Sequence, residues 1–292
     1  MKHRSALTTV ILAIVIAIVG GFSWHHTQAA QKFVHSNTPT IFVHGWGSSY
    51  HAETSMANAA KHADVTNTIV RANVDRNGHV TFNHSIPANA TNPIVEVNLQ
   101  DNKLERYVSS STSNNYADAY HHGGTYILNV VKALEKQHHY SAINLVGHSM
   151  GNLEIANYIN DNYPSNKLPK VKHLVAIAGH YNGLAGQKAA EGAIDEQSGK
   201  PSQQDPGFTQ LLGLREHFPT NTKVLNIYGN YKGKNSDGDV PVNSAKTLKY
   251  LVSSRAQSYQ EREIRGSKAQ HSQLHNNNHQ VNQALINFLW TK

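Results

Sequence analysis

The sequence predicts an α/β protein: a doubly wound, mostly parallel sheet with helices on both faces and a small cap insertion. Three observations point there. Short apolar runs alternate with helix-patterned stretches from about residue 38 to the C-terminus, as expected for strand–helix–strand units. One of those runs, Ile143 to Val146, feeds into Gly147-His148-Ser149-Met150-Gly151 and then into an amphipathic stretch. A strand, a sharp turn and a helix therefore follow one another there. The chain has 292 residues, 39% hydrophobic and 15% charged, which allows one large α/β domain or two small ones and does not suit a disordered chain.

Residues 1–30 stand apart from the fold. Lys2, His3 and Arg4 precede an uncharged apolar run from Ala6 to Phe22, roughly 17 residues and at the lower edge for a bilayer-spanning helix. Positive residues ahead of such a run keep the N-terminus cytoplasmic. Thr27 and Ala29 supply small residues for a signal-peptidase site. The segment reads as a signal peptide or an N-terminal membrane anchor. Either one puts residues 31–292 outside the cytoplasm, secreted or anchored to the cell membrane.

The remaining elements run in order. Thr40–His44 reads as a short buried strand, Gly45–Ser49 as a Gly/Ser turn and residues 52–62 as a helix. Thr68–Val74 and His79–Phe82 read as strands joined through Asn77-Gly78, a strong hairpin signal. Pro93–Leu99 is the next strand. Residues 114–137 form a long helix with Tyr116, Ala119, Tyr126, Val130, Val131 and Leu134 on its apolar side. A strand and turn at 142–151 lead into a helix ending near Asn162. Val171–Ala178, Lys223–Gly229 and Gln260–Arg265 are strands, with helices near 241–252 and over Val281–Trp290. The stretch 183–221 is too long for a structureless loop inside a domain. Phe208, Leu211, Leu212 and Phe218 are spaced there like one helical face, so it reads as a cap or lid.

Composition narrows the function. Net charge is +7, but the basic residues are scattered, with no dense run and no aromatic interleaving, so nucleic acid is not an expected partner. Loose attraction to an anionic envelope polymer fits better, and a merely solvated cationic surface fits best. With 0 cysteines there are no disulfides, no thiolate metal sites and no cysteine nucleophile. The 20 histidines are mostly dispersed and describe a surface that gains charge below about pH 6.5.

A serine hydroxyl becomes a useful nucleophile only when held exposed beside a base, and a tight strand-to-helix turn does the holding. Gly147 and Gly151 flank Ser149 at the required spacing. In a doubly wound sheet the partners should come from loops at the carboxyl ends of other strands. His44-Gly45-Trp46-Gly47 follows the first core strand, and the N–H groups of Trp46 and Met150 are the candidate oxyanion donors. Asp237 and Asp239 follow the strand ending at Gly229, and their placement leaves both open as the acid. His271 and His275 follow the last strand, and His271 is the favoured base because it is nearest the strand end. The order Ser149, Asp237, His271 is the one this architecture requires. His148 and His44 read as packing and bracing residues, and Tyr181 and Asn182 as pocket-rim residues.

These stretches resemble an α/β-hydrolase, and most of all the lipase-like cell-surface hydrolases of Gram-positive bacteria, whose α/β-hydrolase domain has no assigned function. The likeness runs from about residue 38 to the C-terminus. It is carried by Ile41–Gly47, Asn144–Gly151, Ala178–Gly183, Ser236–Pro241 and His271–Leu274. In such enzymes the acid leads an acid-Gly-x-Val pattern, which implies Asp237, and the base leads His-x-x-Leu, which implies His271. Two positions depart: Asn152 stands where a third glycine is common, and His180 where a proline is common.

The expected activity is that of an extracytoplasmic serine hydrolase cleaving a small-molecule or lipid ester, with no metal, no organic cofactor and no obligate protein partner. A non-catalytic, hydrolase-like module that binds a cell-envelope polymer is the alternative. A metal site is a third reading: His271, His275 and His279 would align along one helix, although no Glu completes a His-Glu-x-x-His pattern.

Overall fold

An eight-stranded sheet forms the centre of the protein, in the order β3-β2-β4-β1-β5-β6-β7-β8. The structure is a computed structural model that describes residues 33–108 and 113–292. The segment read as a signal peptide or anchor lies outside the described residues. Among those described, no helix is long and apolar enough to cross a membrane.

The strands are β1 (Thr40–Val43), β2 (Ile69–Val74), β3 (Val80–Phe82), β4 (Ile94–Leu99), β5 (Ala142–His148), β6 (Lys170–Ile177), β7 (Lys223–Asn230) and β8 (Ser258–Arg265). Only β2 and β3 pair antiparallel, across the Asn77-Gly78 turn. Asp75 closes that turn by accepting from the N–H groups of Asn77 and His79. All other neighbours run parallel. The winding reverses around β1, which pairs with β4 on one side and β5 on the other. That switch point places a crevice at the carboxyl ends of the central strands.

Four long helices cover the sheet: α1 (His51–His62), α2 (Ser113–Gln137), α3 (Met150–Asn162) and α4 (His279–Trp290). Side chains alternate across β1, so Ile41 and Val43 pack into the core with α2 and α3, and Phe42 into the core with α1 and α4. β5 follows the same rule, with Ile143 and Leu145 on the first face and Val146 on the second. Burying each such side chain contributes roughly 1.5–3 kcal/mol relative to exposure.

Two stretches differ from the sequence reading. The helix expected near 241–252 is two short ones, Val242–Lys246 and Leu248–Val252. Thr247 separates them, and its hydroxyl bonds back to the Ser244 carbonyl, which competes with helix continuation. The 183–221 insertion is also broken up, into Lys188–Glu191, Pro206–Gln210 and Leu214–His217. Asp205 starts the second of these by capping the Gly207 N–H, with Pro206 at the first helical position. Phe208, Leu211, Leu214 and Phe218 are buried in the core with α2 and α3, and Leu212 is only partly buried. The apolar positions expected on one helix therefore come from successive short turns.

Candidate active site

The site begins at the carboxyl end of β5. Ser149 sits between β5 and α3 at φ 52°, ψ −123°, a conformation costing on the order of 1–3 kcal/mol for a residue with a side chain. Close packing holds it there. A Cβ on Gly151 would lie 2.3 Å from the Val43 carbonyl oxygen, so only glycine lets α3 start so near β1. The Ser149 N–H donates to the Ile177 carbonyl at 3.0 Å. Met150 is the first residue of α3, so its N–H has no acceptor within the helix.

The loop after β1 lies on the serine. A Cβ on Gly45 would be 2.8 Å from the Ser149 Cβ, closer than real atoms approach. His44 ties this loop to β4: its Nδ1–H donates to the Gly45 carbonyl at 2.9 Å, and its Nε2 accepts from the Leu99 N–H at 3.1 Å. Burial brings the His44 pKa down to about 4, so the ring is neutral. Trp46 and Met150 both border the pocket that contains Ser149.

The loop after β7 brings in Asp237. Its buried carboxylate accepts from the N–H groups of Val240 at 2.7 Å and Asp239 at 3.0 Å, both through Oδ1. Its Oδ2 is 2.8 Å from His271 Nδ1, and His271 Nε2 is 2.9 Å from Ser149 Oγ. The carboxylate fixes the tautomer: Nδ1–H donates to Asp237, and Nε2 is left to accept from the serine hydroxyl.

The competing candidates have other partners. Asp239 lines the pocket, and its carbonyl accepts from the Ala185 N–H. His275 donates through Nδ1 to the Ala52 carbonyl at 2.9 Å, and its ring meets that of His148. The helix that would align His271, His275 and His279 does not form. A short turn, His271–Gln273, ends before Asn278 caps a separate helix starting at His279. Among the described residues, no group of three or more His, Asp or Glu side chains is arranged to hold a metal ion.

The chain matches the family described as "Alpha/beta hydrolase of unknown function (DUF915)" over residues 27–292. It belongs to that α/β-hydrolase family. Solved structures share the fold. One, a gene product of Listeria innocua, has a TM-score of 0.74 at 21% identity, covering 87% of this chain and 94% of its own. Another, named as a candidate cell surface hydrolase from Lactobacillus plantarum, has a TM-score of 0.65 at 20% identity, covering 86% and 89%. No curated protein sequence matches.

In this α/β-hydrolase the pocket beside Ser149 encloses about 400 Å³. Tyr116, Tyr120 and Leu153 form one wall, and Leu184, Asp205 and Gly207 of the insertion form another. His180, at the position where a proline is common, is buried and accepts or donates through Nε2 to the Tyr120 hydroxyl at 3.1 Å. Burial drives its pKa to about 3. Asn182 is not a rim residue. It is fully buried, its amide donates to the Ala189 and Gln203 carbonyls, and its oxygen accepts from the Asp205 N–H, which anchors the insertion. Asn152 has a specific task as well. Its amide donates to the carbonyls of Ser149 at 3.1 Å and Ile177 at 2.8 Å, pinning the turn from below. The sequence sign of that task is the departure at this position, Asn152 where a third glycine is common.

Proposed function

We propose that this α/β-hydrolase is an extracytoplasmic serine hydrolase that cleaves carboxylic esters through an acyl-enzyme. Ser149 attacks the ester carbonyl while His271 takes its proton through Nε2, and Asp237 steadies the imidazolium that forms. The N–H groups of Trp46 and Met150 receive the oxyanion, each worth about 3 kcal/mol of barrier. His271 then protonates the departing alcohol, and water repeats the sequence to release the acid. The chemistry needs no cofactor.

One observation carries the reading: an unbroken path of bonds from Asp237 Oδ2 to His271 at 2.8 Å and from His271 to Ser149 Oγ at 2.9 Å. The pocket beside it suits a small ester or the reacting end of a lipid ester. The basic, then apolar, N-terminal sequence supports an export address, with residues 31–292 as the enzyme and the 183–221 insertion as its cap. The Lactobacillus plantarum name points to the same compartment.

The test is covalent labelling of the purified protein with a fluorophosphonate, alongside hydrolysis of p-nitrophenyl acetate. Wild type labels, and Ser149→Ala neither labels nor turns over, with kcat lower by about 10⁴–10⁶-fold. Equal labelling of the two proteins ends this reading. A protein that never labels yet retains cell-wall polymer supports a binding module instead.

A further inference from the structure

The group opposite Ser149 on the base has no role in the chemistry above. His148 is buried, one residue before Ser149, and its Nε2 lies 3.3 Å from the His271 carbonyl oxygen. A carbonyl only accepts, so His148 must carry its proton on Nε2 and donate. Its ring also lies 4.8 Å from the His271 ring and 4.4 Å from the His275 ring.

His271 is thereby held at every polar group. Its N–H donates to the Asp237 carbonyl at 2.9 Å, and its Nδ1 meets the same residue's carboxylate. Its Nε2 meets Ser149, and its carbonyl accepts from His148 and, within its own turn, from Leu274. Asp237 supplies two of these bonds, and the adjacent pair His148-Ser149 supplies two more. The loop bearing the base runs through two short turns after the sheet's edge strand, Ser267–Ala269 and His271–Gln273; Asn278 ties its far side through the Lys268 and Gln273 carbonyls, and His148 ties the side that faces the serine.

We propose that His148 is a positioning residue: its Nε2–H, anchored on the same strand end as the nucleophile, sets the distance between the His271 imidazole and Ser149. This rests on the serine-hydrolase reading. His148 is suited to the role because it stays uncharged. Burial holds its pKa well below the usual histidine range, and the nearby His271, His275 and His44 rings push the same way. A second cation beside the imidazolium of His271 would oppose the proton transfer that catalysis requires.

Two measurements test it. The first is steady-state hydrolysis of p-nitrophenyl acetate by His148→Leu and His148→Gln in the full chain. Glutamine puts an amide N–H about where the imidazole Nε2–H lies, and leucine does not. The expected result is a 10–100-fold lower kcat for H148L with KM within twofold of wild type, and recovery to within about threefold in H148Q. Wild-type kcat in H148L, or equal loss in both variants, overturns the proposal. The second uses the unmutated protein. Histidine ¹⁵N NMR should show one neutral ring protonated on Nε2 whose signals vanish in H148Q. A ring protonated on Nδ1 overturns the proposal even if H148L fails to fold. Neither readout depends on Ser149→Ala labelling, so failure of the chemistry and failure of the positioning role give different results.

Discussion

At the residue scale, the site is controlled by atoms that are missing as much as by those present. Gly45 faces the Ser149 Cβ with no room for a methyl group. Gly45→Ala should push the loop after β1 off the serine, and displacements near 1 Å at a reacting centre cost about 10²-fold in rate. Kinetics on p-nitrophenyl acetate check this, with circular dichroism confirming an intact fold. Asn152 offers a second test. Asn152→Ala removes the donors to the Ser149 and Ile177 carbonyls and should cost about 1–3 kcal/mol by urea unfolding, with a matching fall in kcat as the turn relaxes. Motif spacing pointed to Ser149, Asp237 and His271 because each follows a strand in the order the architecture demands. The roles of Asn152, Tyr120 and His148 were not legible in the same way. Their partners are carbonyls or side chains of distant elements, and nothing in the local sequence encodes such a meeting.

At the element scale, strands with dense Val and Ile were readable to within a residue or two, because burial on both faces leaves little room for other residue types. The insertion was not. Its apolar residues looked like one amphipathic helix, yet Asp205-Pro206 starts a short helix that tightens into a 3-10 turn at Leu211–Gly213 before a last turn at Leu214–His217. Its hold on the body runs through Phe208, which is fully buried against the α2–α3 side. Phe208→Ala should cost about 3–5 kcal/mol by chemical denaturation. KM should also rise, because Gly207 and Asp205 on the same turn form a pocket wall. An unchanged KM in a folded variant would separate the insertion from substrate binding.

At the scale of the whole molecule, two sets of buried ionisable groups pull stability in opposite directions with pH. Burial lowers His44 and His173 to about 4 and His180 to about 3, and holds His148 well below its usual range. The unfolded chain takes up protons on these residues near pH 6.5 while the folded chain does not. Their contribution is present above that pH and is lost as pH falls toward 4, at about 3 kcal/mol for a shift of this size. Burial raises Glu53 and Glu154 well above their usual range. The folded chain keeps those protons where the unfolded chain has lost them, so that contribution is full below about pH 4.5 and fades as pH rises. Urea midpoints should therefore peak near neutrality, drop steeply between pH 6.5 and 5, and decline more gently on the alkaline side. His173→Gln, far from the site, should flatten the acid limb, and Glu154→Gln the alkaline one.

The three strands that deliver Ser149, Asp237 and His271 are not equally secure. β5 is enclosed by β1 and β6, and β7 by β6 and β8, whereas β8 is bonded along one side only and fully buries just Ile264. Fraying begins at such margins, well before a central sheet lets go. On the proposed mechanism, warming should therefore silence hydrolysis by releasing His271 while the turn that bears Ser149 is still formed. Hydrolysis would fade several degrees below the far-ultraviolet transition and return on cooling from that window.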